Sequence, residues 1–157
     1  ALAAKRKGNH IITTAVEHPS VKATASFLEE QGFRITFLSV DSRGQISLED
    51  LKEALTPDTI LVSIMYVNNE IGTIQPVEEA AKLVHATVPG VVFHVDAIQA
   101  YGKVMIRPKQ QGIDLLSVSS HKFHGPKGAG FLYCSSKVNL HPIIFGGGQQ
   151  SGMQLRN

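Results

Sequence analysis

The chain predicts a three-layer α/β/α fold on a mostly parallel sheet, and three observations carry that prediction. Short β-branched or apolar runs alternate with segments whose apolar positions recur at helical spacing. The run at 59–66 (TILVSIMY) is apolar almost throughout, as a central parallel strand covered on both faces must be. Gly, Pro, Asn and Asp gather at the junctions, where the chain has to turn.

Taken in order, residues 10–15 (HIITTA) form a short β-branched strand closed by Glu17-His18-Pro19. Pro19 suits the first turn of a helix running to about Gln31, with Val21, Ala25 and Leu28 on one face and Gly32 as terminator. Residues 33–40 alternate Phe33, Ile35 and Phe37 with other residues and read as the second strand; Asp41-Ser42-Arg43-Gly44 is turn chemistry. Ser47 and Asp50 resemble a capping box ahead of a short helix with Leu48, Leu51 and Leu55 as its stripe, ended near Pro57. After the strand at 59–66 comes a polar loop, Val67-Asn68-Asn69-Glu70-Ile71-Gly72. Pro76 then opens a helix with Glu78 and Glu79 at its positive end and Val77, Ala80, Ala81, Val84 and Val88 on one face. Pro89-Gly90 stops it. Strands follow at 91–95, 115–119 and 128–134, the first leading into Asp96 and then a connection from Gly102 to about Gly112. Gly146-Gly147-Gly148 marks a tight loop near the end. No linker divides the chain, so 1–157 is expected to be a single piece of one domain.

Bulk properties narrow the class. The 157 residues are 43% hydrophobic and 18% charged, which suits a folded globular domain and argues against disorder. A net charge of +2 is too small to imply nucleic acid or an acidic membrane surface, and no apolar run is long enough to span a bilayer. Cys134, the single cysteine, can form no intramolecular disulfide and no zinc site alone; in an apolar strand it is expected to be a small buried hydrophobe. No signal peptide is visible, and the expected location is cytoplasmic. The chain begins almost in mid-strand and ends just after a Gly-rich loop, which reads as a piece of a longer protein.

In sheets of this kind ligands collect beyond the carboxyl ends of the strands. His18, Asn69, Asp96 and Lys122 each stand just past such an end. A lysine at the mouth of a buried strand, partly desolvated, favours the neutral amine and becomes a nucleophile toward carbonyls. A buried carboxylate at Asp96 needs a cationic partner, because an unpaired buried charge costs several kcal/mol. A protonated pyridine nitrogen would serve, so the pair suggests pyridoxal phosphate, joined to Lys122 as a Schiff base and faced by Asp96 at the ring nitrogen. Gln99 and Asn69 could reach the ring hydroxyl, His18 could stack on the ring or move protons, and Ser119 and His121 could hold the phosphate. Each residue alone has a plainer reading: Lys122 as a surface lysine in a turn, Asp96 as a helix cap or turn residue, Asn69 and Gln99 as surface amides, His18 as a structural hydrogen-bonder, and Ser119 and His121 as polar groups of a turn. Lys127 and Gly128 shape the turn, and His85 and His94 carry no pattern.

Five spaced motifs, AVEHPSV, VNNEIGTIQPV, HVDAIQAYGK, SSHKFHGPKGAG and FGGGQQ, together resemble the cysteine desulfurases, NifS-like members of the class V aminotransferase group of pyridoxal-phosphate enzymes. The resemblance runs from His10 to Gln149 and lies closer to the branch with NNEIG and HKFHGPKG than to the selenocysteine-directed lyases. It implies the large, cofactor-binding domain of a fold-type I enzyme. Residue by residue, Lys122 would carry the cofactor and Asp96 would pair with its ring nitrogen. Asn69 and Gln99 would contact its ring hydroxyl, His18 would stack over it and assist proton transfer, and Ser119 and His121 would bind its phosphate. The reaction implied takes L-cysteine to L-alanine. Its sulfur passes to a loop cysteine as a persulfide and then to an acceptor or scaffold protein for iron–sulfur clusters or tRNA thiolation. The family works as a homodimer.

Several family features are expected outside this chain. They are the nucleophilic cysteine, which Cys134 does not match in position, a Gly-Ala-Thr segment before His10, and the small domain. After FGGGQ the family reads Glu-Arg-Gly, where this chain has Gln150-Ser151-Gly152. Alternatives left open are a selenocysteine lyase, a cysteine sulfinate desulfinase, or a truncated domain that only pairs with partners through an exposed strand edge.

Overall fold

The structure, a computed structural model, describes residues 1–141 and 143. The glycine loop at 146–148 and the departure from the family pattern after Gln149 lie outside the described residues. Strands β1 (His10–Thr14), β2 (Arg34–Leu38), β3 (Thr59–Met65), β4 (Val92–Asp96), β5 (Leu115–Ser119) and β6 (Gly130–Cys134) form one sheet in the order β2-β1-β3-β4-β5-β6. All neighbours run parallel except β5 and β6, which are antiparallel.

Because alternate residues of a strand point to opposite faces, adjacent apolar residues feed two cores. Ile12, Val62, Phe93 and Leu116 lie in one, with Leu51 of helix α2 (Leu48–Ala54) and Val77, Ala80, Ala81 and Val84 of helix α3 (Val77–Thr87). Ile11 and Ile60 lie in the other, with Leu28 of helix α1 (Pro19–Glu30). Helices therefore cover both faces, and the α/β/α layering read from the sequence is present. The helix ends follow local chemistry. His18 caps α1 and Pro19 opens it. The Ser47 hydroxyl caps α2 by accepting from the Asp50 N–H at 3.1 Å, half of the box that Ser47 and Asp50 suggested.

One expectation changes. Cys134 is exposed rather than buried, because β6 is the last strand of the described sheet and has a neighbour on one side only. On the edge strand β2, Phe37 is 41% exposed and Leu38 is buried. The crossover from β4 to β5 contains no helix; turns do the covering, with Ala97, Ala100 and Ile113 packed into the larger core. Among the described residues no helix is long and apolar enough to cross a membrane.

The topology positions a site. From β1 the sheet grows toward β2 on one side and β3 on the other, so the carboxyl end of β1 lies at a point where the strand order reverses. Register keeps the strand ends level there: Met65 pairs with Asp96, and Asp96 with Ser117.

Candidate active site

A cleft of about 250 Å³ opens at these strand ends. Six of the seven residues singled out from the sequence line it: His18, Asn69, Asp96, Gln99, His121 and Lys122. Ser119 does not line the wall, but its hydroxyl lies 2.7 Å from His121 Nδ1. Four different strand exits converge, from β1, β3, β4 and β5. A larger cavity of about 520 Å³ opens at the other end of the molecule, beside Thr59, Ile60 and the 88–92 turn. Among the described residues Lys7 and Lys137 are its only charged lining, so these bring no acid and base together.

Asp96 is the last residue of β4 and only 5% exposed. Its Oδ1 accepts the Ile98 N–H at 3.0 Å, which leaves Oδ2 without a protein hydrogen bond among the described residues. Burial holds its carboxyl above the ordinary range, against the opposing pull of the Ile98 N–H and of nearby His18. A carboxylate in this position is stabilised by any cationic donor entering the cleft.

His18 stands where β1 hands over to α1. Its Nδ1 accepts the Ser20 N–H at 3.2 Å and lies 2.8 Å from the Ser20 hydroxyl. Since a backbone N–H can only donate, Nδ1 is the acceptor and the neutral ring carries its proton on Nε2.

Lys122 closes a single 3-10 turn, Ser120–Lys122, directly after β5. Its amine has no protein partner among the described residues, and its side chain is exposed, so this chain's own packing does not supply the desolvation expected from the sequence. What fixes the lysine is the backbone around it. Buried Ser120 receives the Gly125 N–H at 2.9 Å on its carbonyl, donates its N–H to Ala129 at 3.0 Å, and bonds through its hydroxyl to the carbonyls of Pro126 and Ala129. Gly125 is required by this knot: a Cβ there would stand 2.7 Å from Ser120 Cβ.

Sequence reasoning missed three residues that hold the cleft in shape. Ser120 is one. Asn68, 8% exposed, accepts the N–H groups of Glu70 and Ile71 and donates to the Val16 carbonyl at 3.0 Å, tying the loop that carries Asn69 to the exit of β1. Glu17, 3% exposed, accepts from the Thr14 hydroxyl and the Met65 N–H, each at 2.8 Å. In the sequence Glu17 is only part of the Glu17-His18-Pro19 turn that closes the first strand, and only the three-dimensional closure of β1 on β3 reveals its burial.

Fold and cleft together define a doubly wound α/β domain that gathers an amine, an acid and an imidazole where its strand order reverses. The chain belongs to the aminotransferase class-V family, whose profile matches residues 1–157. It is 53% identical over 152 residues to the cysteine desulfurase IscS of Clostridium botulinum, covering 97% of this chain and 38% of that protein. The chain thus spans about 38% of that relative's length. A solved NifS-like protein superposes with a TM-score of 0.93 at 43% identity, over 98% of this chain and 42% of that one. A structure of SspA in complex with cysteine gives a TM-score of 0.88 at 40% identity, over 98% and 44% of the two chains.

Proposed function

We propose that the chain is the central part of the cofactor-binding large domain of a pyridoxal-phosphate-dependent cysteine desulfurase, converting L-cysteine to L-alanine and passing the sulfur, as an enzyme persulfide, to an acceptor protein. The observation that carries this reading is that the Lys122 amine, free of protein partners among the described residues, and the buried Asp96 carboxyl line one cleft. The similarity to a cysteine desulfurase and to a protein solved with cysteine supports the substrate.

The residues present fit the cofactor. Bound pyridoxal phosphate supplies an electron sink that weakens bonds at the substrate's α-carbon. Lys122 Nζ is the covalent anchor. Asp96 Oδ2, the oxygen left free by Ile98, holds the proton of the ring nitrogen, where burial makes a charge pair strong. Asn69 and Gln99 orient the ring through its hydroxyl. Ser119 and His121, already hydrogen-bonded to each other, receive the phosphate. His18 covers the ring and moves protons at Nε2, its Nδ1 being held by Ser20. The nucleophilic cysteine belongs to a segment beyond this chain, since Cys134 lies on β6 and does not line the cleft. A homodimer, a scaffold partner for iron–sulfur or thiolation chemistry, and a cytoplasmic location belong to the same proposal.

Supplying L-cysteine, pyridoxal phosphate and a thiol reductant to the protein expressed from its complete reading frame tests this. Equal amounts of alanine and sulfide are expected. Absence of alanine, or faster turnover of selenocysteine or cysteine sulfinate alone, would overturn the assignment.

A further inference from the structure

The mechanism above leaves the buried carboxyl of Glu17 unused. Glu17 sits between the end of β1 and His18, beneath the cleft, and is almost wholly enclosed. Its Oε1 takes two donors, from Thr14 at the end of β1 and from the Met65 backbone at the end of β3. Its Oε2 is buried with no hydrogen-bond partner. The bond to Met65 reaches the next strand as well. Met65 is the register partner of Asp96, and the Tyr66 N–H donates to the Asp96 carbonyl at 2.9 Å.

We propose that Glu17 is a positioning residue of this site: its carboxyl bolts the segment carrying His18 to the end of β3 and, through the β3–β4 rung, sets the imidazole against the Asp96 carboxyl. The roles of His18 and Asp96 rest on the function proposed above; the clamp itself does not.

The chemistry of the carboxyl agrees with a clamp rather than a charge. An ionised carboxylate with one oxygen sealed and unpaired is costly. Burial pushes Glu17 up to about 7, the neighbouring Asp96 adds to the shift, and the Met65 and Thr14 donors and Lys22 oppose it. Because Oε1 already accepts two donors, the proton sits on Oε2. In that neutral form Glu17 keeps both hydrogen bonds and adds no second negative charge beside Asp96. The charged or titratable groups facing it are Asp96 on β4, Lys22 on α1 and the adjoining His18.

Two variants separate a positioning role from simple bulk. Glu17→Ala removes the acceptor, whereas Glu17→Gln keeps an oxygen for Thr14 and Met65 but cannot ionise. In the cofactor-free protein from the complete reading frame, ¹³C-histidine labelling reads the His18 ring at one fixed pH below 7, where wild-type Glu17 holds its proton and is neutral like the glutamine. A displaced His18 resonance is expected in Glu17→Ala and a restored one in Glu17→Gln. With ¹⁵N-methionine labelling, the Met65 amide shift should inflect near pH 7 in the wild type and not in Glu17→Gln. A His18 resonance indifferent to Glu17→Ala, or a Met65 inflection that survives in Glu17→Gln, overturns the proposal; the second arm holds even where the alanine variant fails to fold. Adding pyridoxal phosphate separates the two readings. If the His18 and Met65 responses occur but no visible absorption band forms, the clamp stands and the proposed function fails. If the band forms while His18 and Met65 ignore Glu17, the function stands and the clamp fails.

Discussion

Met65 and Asp96 are register partners on the last rung shared by β3 and β4, and that rung is the floor of the cleft. The Met65 N–H goes to Glu17, while the Asp96 carbonyl receives the Tyr66 N–H and the next residue, Ala97, donates to the Ser117 carbonyl, so the strand end carrying the acid is held by backbone on both sides. Functional groups placed on strand ends are more precisely held than groups on free loops. The predictions below test what that rigidity does, each in the protein expressed from its complete reading frame.

Removing the charge at Asp96 while keeping its shape isolates the role of the acid. Asp96→Asn retains the acceptor for the Ile98 N–H and leaves Lys122 able to react with pyridoxal phosphate. Losing one partner of a buried ion pair costs about 3–5 kcal/mol, so turnover of L-cysteine should fall about 10²–10⁴-fold. Steady-state kinetics check this, and near-normal turnover would remove the acid from its assigned place.

The knot around Ser120 should govern whether Lys122 is presented at all. Gly125→Ala forces a Cβ to within 2.7 Å of Ser120 Cβ, against a residue hydrogen-bonded on all sides. Overpacking of this kind costs about 1–3 kcal/mol. Urea denaturation should show that loss, and titration with pyridoxal phosphate should show weaker uptake than in the wild type.

Stability should depend on pH through Glu17. Its carboxyl titrates near 7 when folded, against an ordinary value of 4.5. The folded state thus holds this proton longer than the unfolded chain. The stabilising contribution is complete below pH 4.5 and is lost as pH rises through about 7. Glu17→Gln cannot ionise, so it should gain on the wild type across that window, by roughly 3 kcal/mol at most. Burial pushes His94 down to about 4, which gives the opposite slope, but both proteins carry His94 and it cancels in the comparison. Denaturation midpoints measured from acid to neutral pH decide it; a constant difference between the two proteins contradicts the prediction.

His94 has its own part to play in the sheet. Its Nδ1 lies 2.8 Å from the Ser63 hydroxyl and its Nε2 2.8 Å from the Ser117 hydroxyl, bridging β3, β4 and β5. His94→Leu leaves the buried Ser63 hydroxyl and the half-buried Ser117 hydroxyl without that partner and should destabilise the protein by about 1–3 kcal/mol, measured by denaturant unfolding.

How legible this molecule is from sequence depends on the range of the interaction concerned. The helix with Val77, Ala80, Ala81 and Val84 on one face was legible because its period is local, and all four are buried. The cleft was legible in outline because strand ends in an α/β sheet share one edge, which is enough to bring His18 and Lys122, distant in sequence, to the same wall. Glu17, Asn68 and Ser120 were not legible, since each matters through a backbone group of another segment, and no local pattern encodes that distance. Cys134 was misread for a related reason: apolar neighbours imply burial only if another strand or helix covers them. The Lys122 environment also differed, its exposure depending on what else packs over a 3-10 turn.

The most direct measurement of the central claim is chemical. Pyridoxal phosphate is added to the protein, the mixture is reduced with borohydride to make the attachment permanent, and the labelled peptide is identified by mass spectrometry. The account predicts a single pyridoxyl group on Lys122, absent together with the visible absorption band in Lys122→Ala. A label on a different lysine, or an unchanged band in that variant, would contradict it.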